Sequence, residues 1–316
     1  MKRIVKIDLN DKVYGGRVYE NQIVEALKDN VVFDRIFLMK YKSKLLNIPR
    51  ILWLFLKYKF FFKGTLLLTN PTTFFAGRRS KNIVIIHHIE DCLTNRPADI
   101  FQRCCDRYFF KHSRRYHVVV TVSEVWKKQF EEFGFKNIRV IYNSFDLKDY
   151  IFPIEEIQQF KEQNKLSGSP LVYIGNCQLK KGVKEAYEVL RNEGYILVTS
   201  GEKQIDIPVK NLNLSFREYK ILLAASDVVL TMSKFTEGWN RTAHEASLCG
   251  TPVVGTGTGG MHELLEIANQ TELKDFKQLP TVIKERLSKE YVPTPKLLSL
   301  NNTYFKEQWA SVFNSI

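Results

Sequence analysis

The chain has 316 residues, of which 44% are hydrophobic and 26% charged. This composition is that of a globular protein rather than a disordered one, and the length allows two cores. The formal net charge is +13, and residues 1–150 carry the whole excess, with 28 Lys and Arg against 15 Asp and Glu. The first half is therefore expected to meet an anionic partner, either nucleic acid or membrane lipid.

The cysteines and the first residues exclude several further classes. The five cysteines contain no C-x-x-C pair, no zinc-finger spacing and no disulfide framework. The N-terminal residues lack the apolar core of a signal peptide and are typical of a first strand. We therefore expect a reduced, cytosolic protein.

The chain opens on a strand at residues 4–9, a glycine turn at 14–17 and a helix with apolar residues near helical spacing. The turn contains Gly15 and Gly16, but its pattern is not G-x-G-x-x-G, so a dinucleotide site is unsupported. A tight turn that needs glycine only for its backbone is the alternative to a ligand site here.

The next stretch is basic and aromatic. Between Asp34 and Glu90 lie eleven Lys and Arg and no acidic residue. The apolar run 51–56 is far shorter than the ~20 residues of a spanning helix, but with flanking cations it fits a helix in a membrane interface. A buried helix with solvated lysines and a single-stranded nucleic-acid surface are the alternatives. The expected membrane or acceptor contacts are Arg50, Trp53, Lys57 and Lys59.

A predicted strand at residues 83–86 ends in two histidines. The carboxyl end of a parallel strand is where ligands of open α/β sheets bind, so His87 and His88 are candidates for a site. Adjacent side chains on a strand point to opposite faces, so the pair cannot easily share a metal ion. We therefore assign no metal.

Further strands and helices alternate to the end of the chain, which predicts an α/β fold with parallel sheets. A polar, Gln- and Glu-rich helix at 153–169 is expected to link two domains. The strand at 171–174 is followed by Asn176 and Lys181, and the helix start behind Lys181 favours a phosphate-binding role.

The most informative stretch is 228–265, which reads as strand, loop, helix, strand, glycine turn and helix. Two loops that each lead into a helix N-terminus favour an anion. Glu237 and Glu245 stand eight positions apart in this stretch. Because a carboxylate repels phosphate, these two are expected to bind hydroxyls, and a ligand with phosphate and many hydroxyls is a sugar nucleotide.

This stretch resembles the donor site of family 4 retaining glycosyltransferases. The resemblance rests on the two glutamates, on the motif at 249–254 and on the glycine loop at 259–263. It implies the GT-B architecture, in which two Rossmann-like domains with parallel sheets face a cleft. The expected domains are residues 1–152 and 170–302, with a terminal helix at 303–316 packed back on the first.

The resemblance also implies roles for matched residues. His87 would reach the donor sugar across the cleft, Glu237 would bind the sugar hydroxyls and Glu245 those of the ribose. His87 and Glu237 are the expected catalytic residues. Three glycines are expected to line the donor site as well: Gly15, Gly16 and Gly238.

The diphosphate would be held by positive groups, because negative charge builds on it as the sugar departs. Lys181 and the amides of Gly259 and Gly260 are the expected donors. Arg241 is either a phosphate ligand or a salt-bridge partner. Asn176 is expected at the donor too, but it stands where the family usually has an arginine.

The expected reaction moves a hexose-type sugar from a UDP- or GDP-linked donor to a hydroxyl of a glycan or glycolipid. The expected place is the inner face of an anionic membrane, with no nucleic-acid partner. No D-x-D motif is placed to hold Mg²⁺, so no metal is expected. A sugar-nucleotide epimerase and a non-catalytic lipid- or nucleic-acid-binding protein are the alternatives.

Overall fold

The computed structural model describes residues 2–12, 15–89 and 97–316. The chain divides into two compact units. The first comprises Met1–Asn143 and Asn302–Ile316, and the second Ser144–Asn301. Among the described residues, no helix is both long and apolar enough to cross a membrane.

The first unit is built on a six-stranded parallel sheet of order β2-β1-β3-β4-β5-β6. The strands are β1 (Lys2–Asp8), β2 (Val31–Phe37), β3 (Thr65–Thr69), β4 (Lys81–Ile85), β5 (Val118–Thr121) and β6 (Ile138–Val140). The helices between them are α1 (Gly15–Leu27), α2 (Lys44–Leu56), α3 (Pro97–Lys111) and α4 (Glu124–Glu132). A π-helical turn, Lys57–Phe61, continues α2 directly.

The second unit has a parallel sheet of order β12-β11-β10-β7-β8-β9. Its strands are β7 (Leu171–Asn176), β8 (Ile196–Ser200), β9 (Lys210–Leu212), β10 (Val228–Thr231), β11 (Val253–Gly255) and β12 (Thr271–Glu272). Its helices are α5 (Ile154–Gln163), α6 (Val183–Leu190), α7 (Phe216–Ala225), α8 (Arg241–Leu248), α9 (Gly260–Ile267), α10 (Leu279–Leu287) and α11 (Pro295–Ser299).

The central strands are short runs of β-branched and other apolar residues, as the sequence predicts. Every residue of β5 and β10 is buried, and β4 is buried from Asn82 onward. Strands of parallel sheets are covered by helices on both faces, which is why their sequences are continuously apolar rather than alternating. The predicted α/β class with two parallel sheets is confirmed.

The segment at 153–169, expected to be a linker, belongs instead to the second unit. It forms α5, whose Phe160 is buried, and the guanidinium of Arg217 donates to Glu156 at 2.8 Å. The unit begins at Ser144, so the expected boundary at residue 152 lies inside it. The polar composition was misleading because a helix needs only one apolar stripe to pack.

The last helix, α12 (Asn302–Asn314), packs on the first unit. Its buried residues include Trp309 and Phe305, whose rings make edge contacts with Tyr19 of α1 at 6.3 and 5.1 Å. The ammonium of Lys2 in β1 donates to the carbonyl of Ile316 at 2.8 Å. The C-terminal residues are thus part of the first core.

This packing predicts that Trp309→Ala lowers the free energy of unfolding by about 3–5 kcal/mol, the usual cost of removing a buried aromatic side chain. Lys306→Ala, an exposed change on the same helix, is the control and should cost less than about 0.5 kcal/mol. Denaturant titration of both variants measures the difference. Equal costs would show that α12 does not dock on the first core.

Candidate functional site

In the second unit, three loops meet at the carboxyl edge of the sheet. They follow β7, β10 and β11, which are neighbours in the sheet and run parallel. Ligands of open α/β sheets bind at this edge. Most residues predicted to bind the donor lie on these loops or in the helices that follow them.

The carboxylate of Glu237 joins these loops. The side chain lies in the loop after β10 and is 7% exposed. Its Oε1 accepts hydrogen bonds from Ser233 Oγ at 2.6 Å, Lys181 Nζ at 2.7 Å and Asn240 Nδ2 at 3.2 Å. Lys181 comes from the loop after β7, so one carboxylate oxygen connects two of the three loops.

The glycine loop after β11 pairs with the backbone of Glu237. Residues Glu237 and Gly259 form a parallel bridge, and the Glu237 amide donates to the carbonyl of Thr258 at 3.3 Å. Gly259 has φ of +62°, and a Cβ there would overlap the Glu237 carbonyl oxygen. Only glycine therefore permits this close approach of the two loops.

This pairing corrects one prediction, that the amide of Gly260 donates a hydrogen bond to phosphate. The amide of Gly260 donates to the Glu237 carbonyl at 2.9 Å, so it is already used within the protein. The positive φ of Gly259 turns the chain back on Glu237 and causes this. The amide of Gly259 has no acceptor among the described residues.

Lys181 places a positive charge at this edge of the sheet. It ends the short helical turn Leu179–Lys181, and its side chain is one-quarter exposed. Its ammonium lies 4.8 Å from the centroid of the Phe235 ring. Gly182 follows with φ of +68°, and a Cβ there would overlap the carbonyl of Met232. The turn therefore lies directly on the loop after β10.

Glu245 lies on α8, one helical turn after Arg241, the first residue of that helix. Its Oε1 accepts from Tyr150 Oη at 3.2 Å and from Arg241 Nη2 at 3.3 Å. Burial raises the pKa of Glu245, and the nearby Arg241 guanidinium opposes that rise. Of the two roles considered for Arg241, the structure shows the salt bridge; its guanidinium also lies 4.5 Å from the Phe145 ring centroid. Phosphate binding by Arg241 remains a prediction.

His244 is a buried group that the sequence analysis missed. It is fully buried, its Nδ1 accepts from the Trp239 indole at 3.1 Å, and Phe145 packs on it at 4.4 Å. Burial, with the positive charge of Arg241, lowers the pKa of His244 to about 3. The sequence carries no signal for this, because a single helical histidine gives no information about its depth.

Asn176 ends β7, with its amide oxygen in a structural network. Its Oδ1 accepts from Tyr173 Oη at 2.9 Å and from Ser200 Oγ at 3.1 Å. The amide nitrogen has no protein acceptor among the described residues. Asn176 thus ties the ends of β7 and β8 together, whereas an arginine there would place a cation at this edge. Gly238 lies beside Glu237 in the loop after β10.

In the first unit, His87 follows the carboxyl end of β4. Its ring meets Tyr19 edge-on at 5.0 Å, and the Tyr19 hydroxyl donates to the carbonyl of Ile141 at 2.9 Å. Gly15 and Gly16, predicted to form a turn, are instead the first residues of α1. Tyr14 of that turn lies outside the described residues.

A buried charge cluster next to α1 was also missed. Asp8 at the end of β1 is fully buried and pairs with Lys6 and Arg17, while Lys6 also reaches Glu20 at 2.7 Å. Burial raises the pKa of Asp8, but Lys6 and Arg17 outweigh this and hold the pKa below its ordinary value. Buried charges persist only when paired in this way.

The four predicted membrane contacts have two different environments. Arg50 donates to the carbonyls of Phe37 and Leu38 at 2.6 and 2.9 Å, and the Lys59 ammonium is bonded to carbonyls of its own unit. Trp53 is 59% exposed, and the ammonium of Lys57 lies 5.1 Å from its ring centroid. Trp53 and Lys57 thus face solvent, whereas Arg50 and Lys59 brace the backbone.

No cluster of three or more His, Cys, Asp or Glu side chains suited to a metal ion occurs within the described ranges. His87 and His88 belong to separate contacts, because the ring of His88 lies 6.4 Å from that of Trp126 rather than against Tyr19. The residues 90–96 that follow them lie outside the described ranges.

Comparison with known proteins gives the fold. No protein-family model matches the chain. HepE of Anabaena, solved in complex with UDP-glucose, matches 100% of both chains with a TM-score of 0.78 at 17% identity. The chain has the GT-B fold. Sucrose-phosphate synthase from Thermosynechococcus elongatus matches 99% of this GT-B chain and 95% of its own, with a TM-score of 0.69 at 15% identity.

A sequence relative covers a smaller part of the molecule. N-acetyl-alpha-D-glucosaminyl L-malate synthase of Bacillus anthracis is 28% identical over 149 residues. The match spans 42% of this GT-B chain and 38% of the synthase. The predicted resemblance to GT-B glycosyltransferases is confirmed at the level of fold.

The burial of His244 generates a pH prediction. The pKa of histidine in the unfolded chain is near 6.5, whereas that of His244 in the folded protein is about 3. At pH values between these two, the unfolded state therefore binds one more proton than the folded state. The free energy of unfolding should therefore fall as the pH is lowered from 7 to 5, by about 2 kcal/mol from this residue.

His244→Asn keeps an acceptor for the Trp239 indole but cannot titrate in this range. Urea titrations at pH 7 and pH 5 should show that the variant loses less stability on acidification than the wild type. Parallel pH profiles for the two proteins would contradict a neutral, buried His244.

Proposed function

We propose that this GT-B protein is a retaining glycosyltransferase that moves a hexose-type sugar from a nucleoside diphosphate sugar to a hydroxyl acceptor. The observation that carries the proposal is the convergence of Lys181, Glu237 and the Gly259 loop at the carboxyl edge of the second sheet. HepE, which has the same fold, was solved with UDP-glucose and with UDP, and this favours a UDP-linked donor.

The proposed donor site divides positive and negative groups between the two parts of the ligand. Lys181 and the amide of Gly259 would meet the diphosphate, together with the N-terminus of α9. Glu237 would accept hydrogen bonds from the sugar hydroxyls and Glu245 from the ribose. Binding would then exchange the Lys181–Glu237 ion pair for one contact to phosphate and another to hydroxyl.

In the proposed reaction, the acceptor oxygen bonds to the anomeric carbon while the bond from that carbon to the phosphate oxygen breaks. The acceptor proton passes to the departing diphosphate, so no protein base is required. Attack from the side of the leaving group retains the anomeric configuration. We propose that Lys181 stabilises the departing charge without a metal ion, and that His87 of the first unit contacts the donor sugar.

We further propose that the acceptor is a glycan or glycolipid at the inner face of an anionic membrane. Helix α2 and the turn after it expose a row of large apolar side chains. These residues, between 44% and 77% exposed, are Leu45, Leu46, Ile48, Leu52, Trp53, Leu56, Phe60 and Phe61. An apolar helix face with cations beside it is typical of helices that lie in a membrane interface.

The proposed donor site predicts that Lys181→Ala weakens binding of the nucleoside diphosphate sugar. A thermal-shift panel of UDP, GDP, ADP and CMP, with and without attached sugars, should identify one diphosphate whose sugar conjugate raises the melting temperature. Losing one charge-assisted contact should weaken that ligand about 10- to 100-fold. Lys184→Ala, an exposed lysine one turn along, is the matched control and should bind as the wild type does.

If none of the nucleotides stabilises the wild type, the transferase proposal fails. If Lys181→Ala and Lys184→Ala bind equally well, the proposal for Lys181 fails while that for the donor stands.

The membrane proposal predicts that Leu52→Ser with Trp53→Ser reduces vesicle binding. Full burial of such side chains is worth about 1.5–3 kcal/mol each, so sedimentation with vesicles should show a loss of at least tenfold. Phe216→Ser, which removes an exposed aromatic of the second unit, is the control. Unchanged binding by the double variant would show that α2 does not enter the interface.

A further inference from the structure

We propose that the first unit binds the phosphate of an anionic phospholipid in a pocket that we call the arginine pocket. Its lining residues are Lys59, Phe60, Phe61, Arg78, Arg79 and Arg115, and its volume is about 470 Å³. The pocket is therefore as large as typical sites for small ligands. The proposal rests on the membrane contact proposed above and adds to it a defined site for the headgroup.

The arginine pocket lies at the opposite edge of the sheet from His87. Its residues immediately precede β3, β4 and β5, whereas His87 follows β4. Because all strands of this sheet are parallel, the pocket is at their amino ends. A five-residue strand separates the two edges by roughly 17 Å. The pocket is thus separate from the edge of the first sheet that carries His87.

Buried hydrogen bonds hold the pocket walls in place. Asn82 of β4 is fully buried, and its Nδ2 donates to the carbonyls of Gly77 at 2.9 Å and Arg115 at 2.8 Å. Its Oδ1 accepts from Ser80 Oγ at 2.8 Å. One side chain therefore joins the loop that carries Arg78 and Arg79 to the one that carries Arg115.

The third wall is fixed by Lys59 and by a glycine. The Lys59 ammonium donates to the carbonyls of Phe74 at 2.8 Å and Ala76 at 2.9 Å, and also to the Tyr108 hydroxyl. A Cβ on Gly77 would lie 2.6 Å from the Lys59 carbonyl oxygen. Glycine therefore lets the arginine loop lie directly against the π-helical turn.

The charge of the pocket is unbalanced. Across residues 2–12, 15–89 and 97–316, no carboxylate forms an ion pair with Lys59, Arg78, Arg79 or Arg115. The sequence has no acidic residue between Asp34 and Glu90. Burial, together with the charge of Arg115, lowers the pKa of Lys59 to about 8. Gathering like charges in this way costs free energy, and a bound phosphate would offset that cost.

The surroundings of the pocket favour a lipid over a soluble phosphate. Phe60 and Phe61 line it and are 53% and 71% exposed. The turn that carries them continues α2, whose exposed Leu52 and Leu56 extend the same apolar surface. Cations beside exposed aromatic and aliphatic side chains match a headgroup phosphate with acyl chains next to it.

The test uses a double variant, Arg78→Gln together with Arg79→Gln, which we call the arginine variant. It is compared with a control double variant that removes the same amount of charge elsewhere on the first unit. Lys128→Gln with Arg139→Gln is that control, since both residues are exposed and lie on α4 and β6. Binding is measured to phosphatidylcholine vesicles with and without phosphatidylglycerol, and to inorganic phosphate. The nucleotide-induced thermal shift of each variant is recorded in parallel.

Removing two cations that lie beside an anionic surface should weaken vesicle binding more than tenfold. The arginine variant should therefore bind phosphatidylglycerol vesicles at least tenfold more weakly than the control, with the phosphatidylcholine baseline and nucleotide shift unchanged. If vesicle binding is weakened equally in the arginine variant and the control, the attraction depends on overall charge, and the proposed phosphate site in the pocket is wrong. Loss of phosphate binding with unchanged vesicle binding would overturn the lipid assignment.

Failure of the proposed function is a separate result. It would appear as no nucleotide shift in the wild type, whatever the vesicles show.

Discussion

The carboxylate of Glu237 is the junction on which the second unit's candidate site depends. Hydrogen bonds from Ser233, Lys181 and Asn240 converge on one of its oxygens, and its backbone pairs with Gly259. A buried carboxylate without donors would cost several kcal/mol, so these contacts are obligatory in the folded state. They tie together the loops after β7, β10 and β11.

In the proposed function, the same junction would keep a site for a negative ligand ready. Lys181 is held beside the glycine loop by Glu237, whose carboxylate balances its positive charge. A bound diphosphate would attract Lys181 with more negative charge than one carboxylate carries, and the hydroxyls of an attached sugar would replace the ammonium on Glu237. Folding sets the backbone positions of both residues, so binding would require only their side chains to exchange partners.

The sequence predicted the parts of the fold that depend on local composition. The apolar strands and the glycine turn within the 228–265 stretch have strong local patterns, since β-branched runs and positive-φ glycines leave few alternatives. The amide of Gly260 was assigned wrongly, because its partner is a carbonyl 23 positions earlier. Likewise, the depth of His244 depends on long-range packing that no local pattern records.

The sequence predicted how much positive charge residues 1–150 carry, but not which contacts the individual lysines and arginines make. The excess of +13 in residues 1–150 predicted an anionic partner, yet Arg50 and Lys59 cap backbone carbonyls and Lys6 neutralises buried carboxylates. Arg78 and Arg79, which sequence reasoning did not select, stand exposed at the pocket that Asn82 assembles. Only the fold shows which cations are already paired.

The most direct test of the account is a crystal structure with the nucleoside diphosphate sugar that binds. We expect the diphosphate within hydrogen-bond distance of Lys181 Nζ and the Gly259 amide, with Lys181 moved away from Glu237 and a sugar hydroxyl in its place. A ligand bound elsewhere, with the 2.7 Å Lys181–Glu237 pair intact, would contradict the central claim.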